Sequence, residues 1–317
     1  QPGCPERGDI LFPCTLAYVK CIMGLTAVRK PMAHGNVRIG LVQTMVSGDV
    51  EENLSRTLAF CRKAADEGAR IICLQELFRT PYFPQEEYCD ATLYAEPVPG
   101  ETTTRFAEFA RYFKVTVIVP LFEKGDGGRY YNSAVVIDEN GTIMPPYRKV
   151  HIPHDPLFYE QNYFSGGDSF RIYSCGPVKC AVLICYDQWF PEAARAVTLM
   201  GADVIFYPTA IGWIKGLSDP AEGDWRVAWE TVQRGHAISN GVYIAAVNRW
   251  GTEGDLTFWG SSFVSDSFGN VLVRAGSNRD EVVIADISLD LNEMVRSGWG
   301  FLRNRRPEMY GILTRGT

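Results

Sequence analysis

VKCAVLICYDQWFPEAARAVTL, residues 178–199, reads as an apolar strand, a turn and a helix. Val178–Ile184 is a run of the kind that forms a buried strand. Cys185 stands at the end of that run and not within it. Pro191 suits a first helical turn, where its missing N–H has no partner to lose, and Pro191–Leu199 continues as the helix. Gly201-Ala-Asp203 then leads into a second apolar strand, Val204–Tyr207. Parallel strands need a crossover, so strand–helix–strand is the signature of a parallel sheet.

The same grammar extends in both directions. Upstream, Val37–Gln43 is a strand. Asp49 is placed as a helix N-cap with Glu52 three residues on, and Leu54, Leu58 and Cys61 recur at helical spacing before Gly68. Arg70–Leu74 is a short strand, Thr103–Phe113 a helix and Val115–Pro120 a strand. Glu139-Asn-Gly141 marks a hairpin between Asn132–Asp138 and Thr142–Met144. Downstream, Trp225–Ser239 is a helix and Val242–Val247 a strand. Ser267-Phe-Gly269 turns a second hairpin between Gly260–Asp266 and Asn270–Arg274. Val282–Ile287 and Leu289–Val295 are a last strand and helix. The chain is α/β with mixed sheets, and helix, strand and hairpin follow one another once in each half, which hints at internal pseudo-symmetry. Residues 37–317 form one domain, with an arm at about 299–317. Residues 1–36 are read as an extension outside the core fold.

Composition narrows the function. The 317 residues are 46% hydrophobic and 21% charged, with a net charge of −6. Nucleic acid and anionic membrane reward basic patches, so a small-molecule substrate is expected, with neither nucleic acid nor membrane as partner. The nine cysteines are odd in number and lack C-x-x-C spacing, which argues for a reducing, cytoplasmic setting and against a disulfide framework. His34, His151, His154 and His236 do not space as metal ligands. No P-loop, G-x-G-x-x-G or G-x-S-x-G occurs. Neither a metal nor a cofactor is expected.

Three patterns carry chemistry. In IICLQE, residues 71–76, an apolar strand delivers Glu76 to a sheet edge. In YRKVHIP, residues 147–153, Lys149 follows a hairpin, and Glu160 comes eleven residues later. The third is Cys185 itself, on a strand–turn–helix that resembles a nucleophile elbow, where nearby backbone N–H groups can receive an oxyanion. Each has a bland alternative: a solvated carboxylate, an exposed lysine, an inert core thiol. Cys73 and Cys180 are read as the last of these.

Taken together, Glu76, Lys149 and Cys185 resemble the nitrilase superfamily, whose Glu-Lys-Cys triad follows this order. The resemblance spans about residues 37–313 and is strongest in CYDQWFPEAARAVTLMGADVIFYPTAIG, Cys185–Gly212. Within the superfamily this stretch, with QELF, YRKVHIP and SGWGFLRNRRPEMY, looks like the N-carbamoylputrescine amidases. The resemblance implies a four-layer α-β-β-α sandwich of two mixed sheets. It implies that Cys185 attacks as a thiolate, that Glu76 moves the proton and later activates water, and that Lys149 and the Tyr186 backbone N–H hold the oxyanion. Glu160 is the additional carboxylate that keeps Lys149 charged. The expected reaction converts N-carbamoylputrescine and water to putrescine, carbon dioxide and ammonia. A simple amidase, a β-ureidopropionase, a nitrilase or a silent scaffold protein are the alternatives.

The distal ammonium of such a substrate needs a carboxylate or an aromatic face. Tyr82, Asp187, Trp189 and Glu192 are the candidates. Against them stand core packing for Trp189 and N-terminal helix charge for Glu192. WGFLRNRRPEMYGIL, Trp299–Leu313, is either an arm that packs on a partner or a solvated terminus. The superfamily resemblance implies a homodimer or larger homo-oligomer.

Overall fold

The structure, a computed structural model, describes residues 35–217 and 223–315. The expected N-terminal extension lies outside the described residues except for its last two positions. The first half contributes strands β1 (Val37–Gln43), β2 (Ile71–Leu74), β3 (Thr116–Lys124), β4 (Tyr130–Ile137) and β5 (Tyr147–Arg148). Helices α1 (Val50–Asp66) and α2 (Glu101–Phe113) connect β1 to β2 and β2 to β3. The second half begins with β6 (Ile172–Cys175), β7 (Val178–Val182), helix α3 (Pro191–Leu199), β8 (Val204–Thr209), β9 (Gly212–Ile214), helix α4 (Trp225–Asn240) and β10 (Tyr243–Asn248). It ends with β11 (Trp250–Glu253), β12 (Leu256–Trp259), β13 (Phe263–Ser265), β14 (Val271–Arg274), β15 (Glu281–Ile287) and helix α5 (Leu289–Trp299).

Two six-stranded sheets form, in the orders β15-β1-β2-β3-β4-β5 and β14-β13-β10-β8-β7-β6, beside a three-stranded sheet β11-β12-β9. In the first, β1, β2 and β3 are parallel, β15 is antiparallel on one side, and β4 and β5 are antiparallel on the other. In the second, β7, β8 and β10 are parallel, flanked in the same way by β6 and by β13 with β14. The halves therefore repeat strand for strand, as their sequence order suggests.

The layers follow from strand periodicity, which sends alternate side chains to opposite faces. Ile39, Leu41, Ile71 and Cys73 share one buried core with Val182, Ile205, Tyr207 and Ala245 of the other sheet. The residues between them, Val42, Ile72 and Leu74, pack on Leu54, Cys61 and Ala64 of α1 and on Phe106 and Ala110 of α2. Ala193, Val197, Trp229 and Ala237 bring α3 and α4 onto the second sheet. The fold is thus a four-layer α-β-β-α sandwich. Gly40 permits the α1 contact, since a Cβ there would lie 3.1 Å from the Ala69 Cβ and 3.2 Å from the Ala64 Cβ. Asp49 caps α1 as expected, accepting from the Glu51 and Glu52 amides.

The departures from expectation have local causes. The strand expected to stop at Pro120 continues to Lys124. Its neighbour β2 ends beside it, with Cys73 opposite Ile118, so Pro120 falls between the end of β2 and the Glu96–Glu123 bridge, where proline is tolerated. Thr142–Met144 makes only an isolated bridge, Ile137 to Ile143. Pro145 and Pro146 interrupt the arm, and pairing with β4 resumes at Tyr147–Arg148. β6 and the small sheet were not anticipated, because strands this short carry little periodicity. Among the described residues no helix is long and apolar enough to cross a membrane.

Candidate active site

Three strand ends of the sandwich converge. After β2, Gln75 brackets Thr44 through hydrogen bonds to its backbone N–H and C=O, of 2.7 and 2.8 Å. Glu76 then enters the interior fully buried. Leu77, next in the chain, has φ 47°, a left-handed conformation that needs outside support. Arg249, just beyond β10 and itself buried, supplies it. Its Nη2 donates to the carbonyls of Glu76 (3.0 Å), Leu77 (2.7 Å) and Thr80 (3.3 Å).

Lys149 lies one residue past β5, and its N–H donates to the Asn132 carbonyl at 2.8 Å. Gly167 backs this segment: its N–H donates to the Lys149 carbonyl at 2.8 Å, and a Cβ there would meet the Arg148 carbonyl oxygen at 2.2 Å. Lys149 Nζ donates to Glu76 Oε1 at 2.9 Å and to Glu160 Oε1 and Oε2 at 2.9 and 2.7 Å. All three side chains are sealed from solvent. Burial alone pulls the lysine pKa down, but the carboxylates of Glu160 and Glu76 outweigh it and the net direction is up. One cation then faces two carboxylates. Burial, opposed by Lys149 and assisted by the charge of Glu76, leaves Glu160 raised.

Asn132 Nδ2 links the two carboxylates, at 2.7 Å to Glu76 Oε1 and 3.4 Å to Glu160 Oε2. Tyr82 OH donates to Glu160 Oε1 at 2.8 Å. Glu76 Oε2 is buried with no hydrogen-bond partner from the protein. Of the four carboxylate oxygens of Glu76 and Glu160 it is the one without a hydrogen bond, placed to accept a proton.

Cys185 follows β7 with φ 43°, opening a 3-10 turn, Cys185–Trp189, that precedes α3. Non-glycine residues in this region carry about 1–2 kcal/mol of strain, so the turn must be held. Asp187, fully buried, holds it. Its Oδ2 accepts from the Ile184 amide (2.8 Å) and Tyr147 OH (2.7 Å), and its Oδ1 from the His151 amide (3.0 Å) and Nδ1 (2.7 Å). Tyr147 and His151 flank Lys149 by two residues on each side. One carboxylate therefore joins the lysine segment to the cysteine turn. Asp187→Ala strands these donors in the interior, and unfolding in urea is expected to show a loss of about 3 kcal/mol. A wild-type midpoint and slope would contradict this role.

Burial, then the charge of Glu76, push the Cys185 thiol well above its ordinary value, with Lys149 opposing. These influences favour the neutral thiol over the thiolate, which fits the expectation that Glu76 takes the thiol proton before Cys185 attacks. Attack on carbon from this state requires an acceptor for the proton.

Cys185 and Tyr186 open on a cavity of about 420 Å³, walled largely by apolar side chains including Phe158, Trp189, Ile211 and Trp225. Of the four substrate-binding candidates, only Trp189 lies on this wall. Tyr82 is sealed behind Glu160. Asp187 spends both oxygens on the turn. Glu192 is exposed in the first turn of α3 and lines a different cleft, with Arg195, Phe301 and Tyr310. Asn132, Arg249, Asp155 and Phe158 were not anticipated. Asn132 opens the sequence-predicted strand, but nothing in the sequence says which way it faces. Among the described residues no group of three or more His, Cys, Asp or Glu side chains is arranged to hold a metal ion.

Residues 38–296 match a protein family described as carbon-nitrogen hydrolase. The N-carbamoylputrescine amidase of Solanum lycopersicum is 39% identical over 296 residues, 89% of this chain and 97% of its own. The citrullinase of Francisella tularensis is 35% identical over 286 residues, 88% of this chain and 99% of its own. A carbon–nitrogen hydrolase from Helicobacter pylori G27 has a crystal structure that matches with a TM-score of 0.85 at 38% identity, covering 89% of this chain and 99% of that one.

Proposed function

We propose that this chain, which belongs to the carbon–nitrogen hydrolase family, hydrolyses N-carbamoylputrescine to putrescine, carbon dioxide and ammonia through an intermediate on Cys185. The observation that carries the reading is the sealed Glu76–Lys149–Glu160 group beside a cysteine on a left-handed turn at the floor of an apolar cavity. The name of the Solanum lycopersicum relative supports the choice of substrate.

In this mechanism the Cys185 sulfur bonds to the ureido carbon as its proton passes to Glu76 Oε2. The oxygen gains negative charge and is held by Lys149 Nζ and the Tyr186 N–H. Glu76 returns the proton to the departing nitrogen, and one C–N bond breaks. Glu76 then deprotonates a water that displaces the thiol from the carbamoyl sulfur intermediate. The carbamic acid released loses carbon dioxide. Breaking either C–N bond first leads to the same three products. Glu160 acts on Lys149, keeping the ammonium charged and aimed.

Purified full chain supplied with N-carbamoylputrescine is expected to release ammonia and putrescine in equal amounts. Citrulline is expected to be the poorer substrate, because its zwitterionic end brings a carboxylate to a wall that carries no basic side chain among the described residues. Silence on carbamoyl amines, amides and nitriles alike would refute the enzyme reading. The proposal extends to a cytoplasmic homo-oligomer acting in polyamine metabolism. Buried free thiols at Cys61, Cys73, Cys175 and Cys180 fit a reducing compartment. Exposed Phe301, Met309, Ile312 and Leu313 on the C-terminal arm are apolar surface of the kind that subunits cover.

A further inference from the structure

A substrate that places its ureido carbon at Cys185 and ends in an ammonium group makes two demands on the cavity. Its methylenes want apolar surface, and its cation wants an anion or an aromatic face when water is withdrawn. Phe158, Trp189, Ile211 and Trp225 meet the first demand. For the second, the described wall offers two carboxylates, Glu160 and Asp155. Glu160 is committed: both oxygens take Lys149, and Oε1 also takes Tyr82 OH.

Asp155 differs in each respect. It is exposed, and among the described residues no hydrogen bond reaches its carboxylate. Its backbone is fixed by a tight turn, in which the Phe158 N–H donates to the Asp155 carbonyl at 2.8 Å and the Asp155 N–H to the Phe158 carbonyl at 3.3 Å. Pro156 presets the first corner, and Leu157 occupies the second with φ 62°, where glycine is the usual residue. A leucine kept in that conformation marks a turn whose shape is imposed by its surroundings. The charge of Asp155 is felt at Tyr186, the residue after the nucleophile, where burial and then Asp155 push the phenol up. The carboxylate is thus free, set by a hydrogen-bonded turn, and on the wall of the same cavity as Cys185 and Tyr186.

We infer that Asp155 is the specificity-determining carboxylate of this site and receives the distal ammonium of a carbamoyl diamine lying along the aromatic wall. This rests on the carbamoyl-amine reading above and replaces Asp187 and Glu192 as the groups expected to read that charge. An aromatic face alone discriminates only modestly between a cation and a neutral chain. A carboxylate at the mouth rewards a single cation and repels a substrate that ends in an anion.

The test uses the full chain and two substrates of matched length, N-carbamoylputrescine and the uncharged N-pentylurea. Wild type is expected to favour the cationic one. Asp155→Asn, which preserves shape on an exposed turn, is expected to lower kcat/KM for N-carbamoylputrescine about tenfold, mainly through KM, and to leave N-pentylurea unchanged. An equal loss on both substrates would mean that Asp155 only shapes the turn, and no loss on either would mean that it does not meet the ammonium. Both outcomes overturn the inference while leaving the carbamoyl-amine reading intact. A wild-type enzyme inactive on both substrates would instead overturn that reading, and this inference with it.

Discussion

Cys185→Ala is expected to abolish turnover, lowering kcat by at least about 10⁴-fold, while the protein remains folded. The two halves of this result have separate causes. Loss of activity follows if every bond-making step passes through the sulfur. Tolerance of the substitution follows from how little the sulfur does for the fold. Its polar contact is a long 3.9 Å approach to the Ala210 carbonyl, and the turn is held by Asp187, not by the thiol. Removing one buried atom there costs about 1 kcal/mol. The variant should bind N-carbamoylputrescine and raise the melting temperature with it, yet release no ammonia. Retained turnover would remove Cys185 from the mechanism. The other thiols make poor substitutes. Among the described cysteines none but Cys185 lies on the wall of this cavity.

Lys149→Met has the largest expected effect on stability. The substitution keeps an unbranched side chain one atom shorter and deletes the cation between Glu76 and Glu160. Two carboxylates sealed from solvent, linked by Asn132, then face each other uncompensated. Removing one partner of a buried ion pair costs about 3–5 kcal/mol. The loss should depend on pH. Glu160 is raised from its ordinary 4.5 even with Lys149 present, by burial first. Without the lysine the pair is raised further, so the folded state holds a proton that the unfolded state has released. Stability of the variant is then greatest below the unfolded value and falls as pH rises through the folded one. Urea unfolding at mildly acidic and mildly alkaline pH should show a smaller deficit at the acidic end. Adding Glu160→Gln should restore part of the loss. A deficit that is the same at every pH would mean that the group is not an ion triad in solution.

Much of the architecture was legible locally. α3 begins at Pro191 and ends at Leu199 where composition places it, because proline and the alternation of buried alanine and valine act within the segment itself. The strand Val37–Gln43 and the cap at Asp49 are local in the same sense. Glu76 and Lys149 stand 73 residues apart, and Lys149 and Glu160 stand 11 apart. Their pairing was expected through a family resemblance, since no local rule joins residues on separate strand ends.

Side-chain direction and burial were not legible. Asp187 and Glu192 sit close to the cysteine in the chain, yet one turns its carboxylate into the fold and the other faces a different cleft. A 3-10 turn and a left-handed residue intervene, and they break the periodicity from which direction is read. Asp155 and Arg249 reach the site from loops whose positions are set by the sheets they connect. For Cys185 itself, its own neighbours identified a strand-end thiol of the right kind. How tightly that thiol holds its proton is set by the surrounding core, Glu76 and Lys149, because desolvation and charge act through space between segments that only the folded chain brings together.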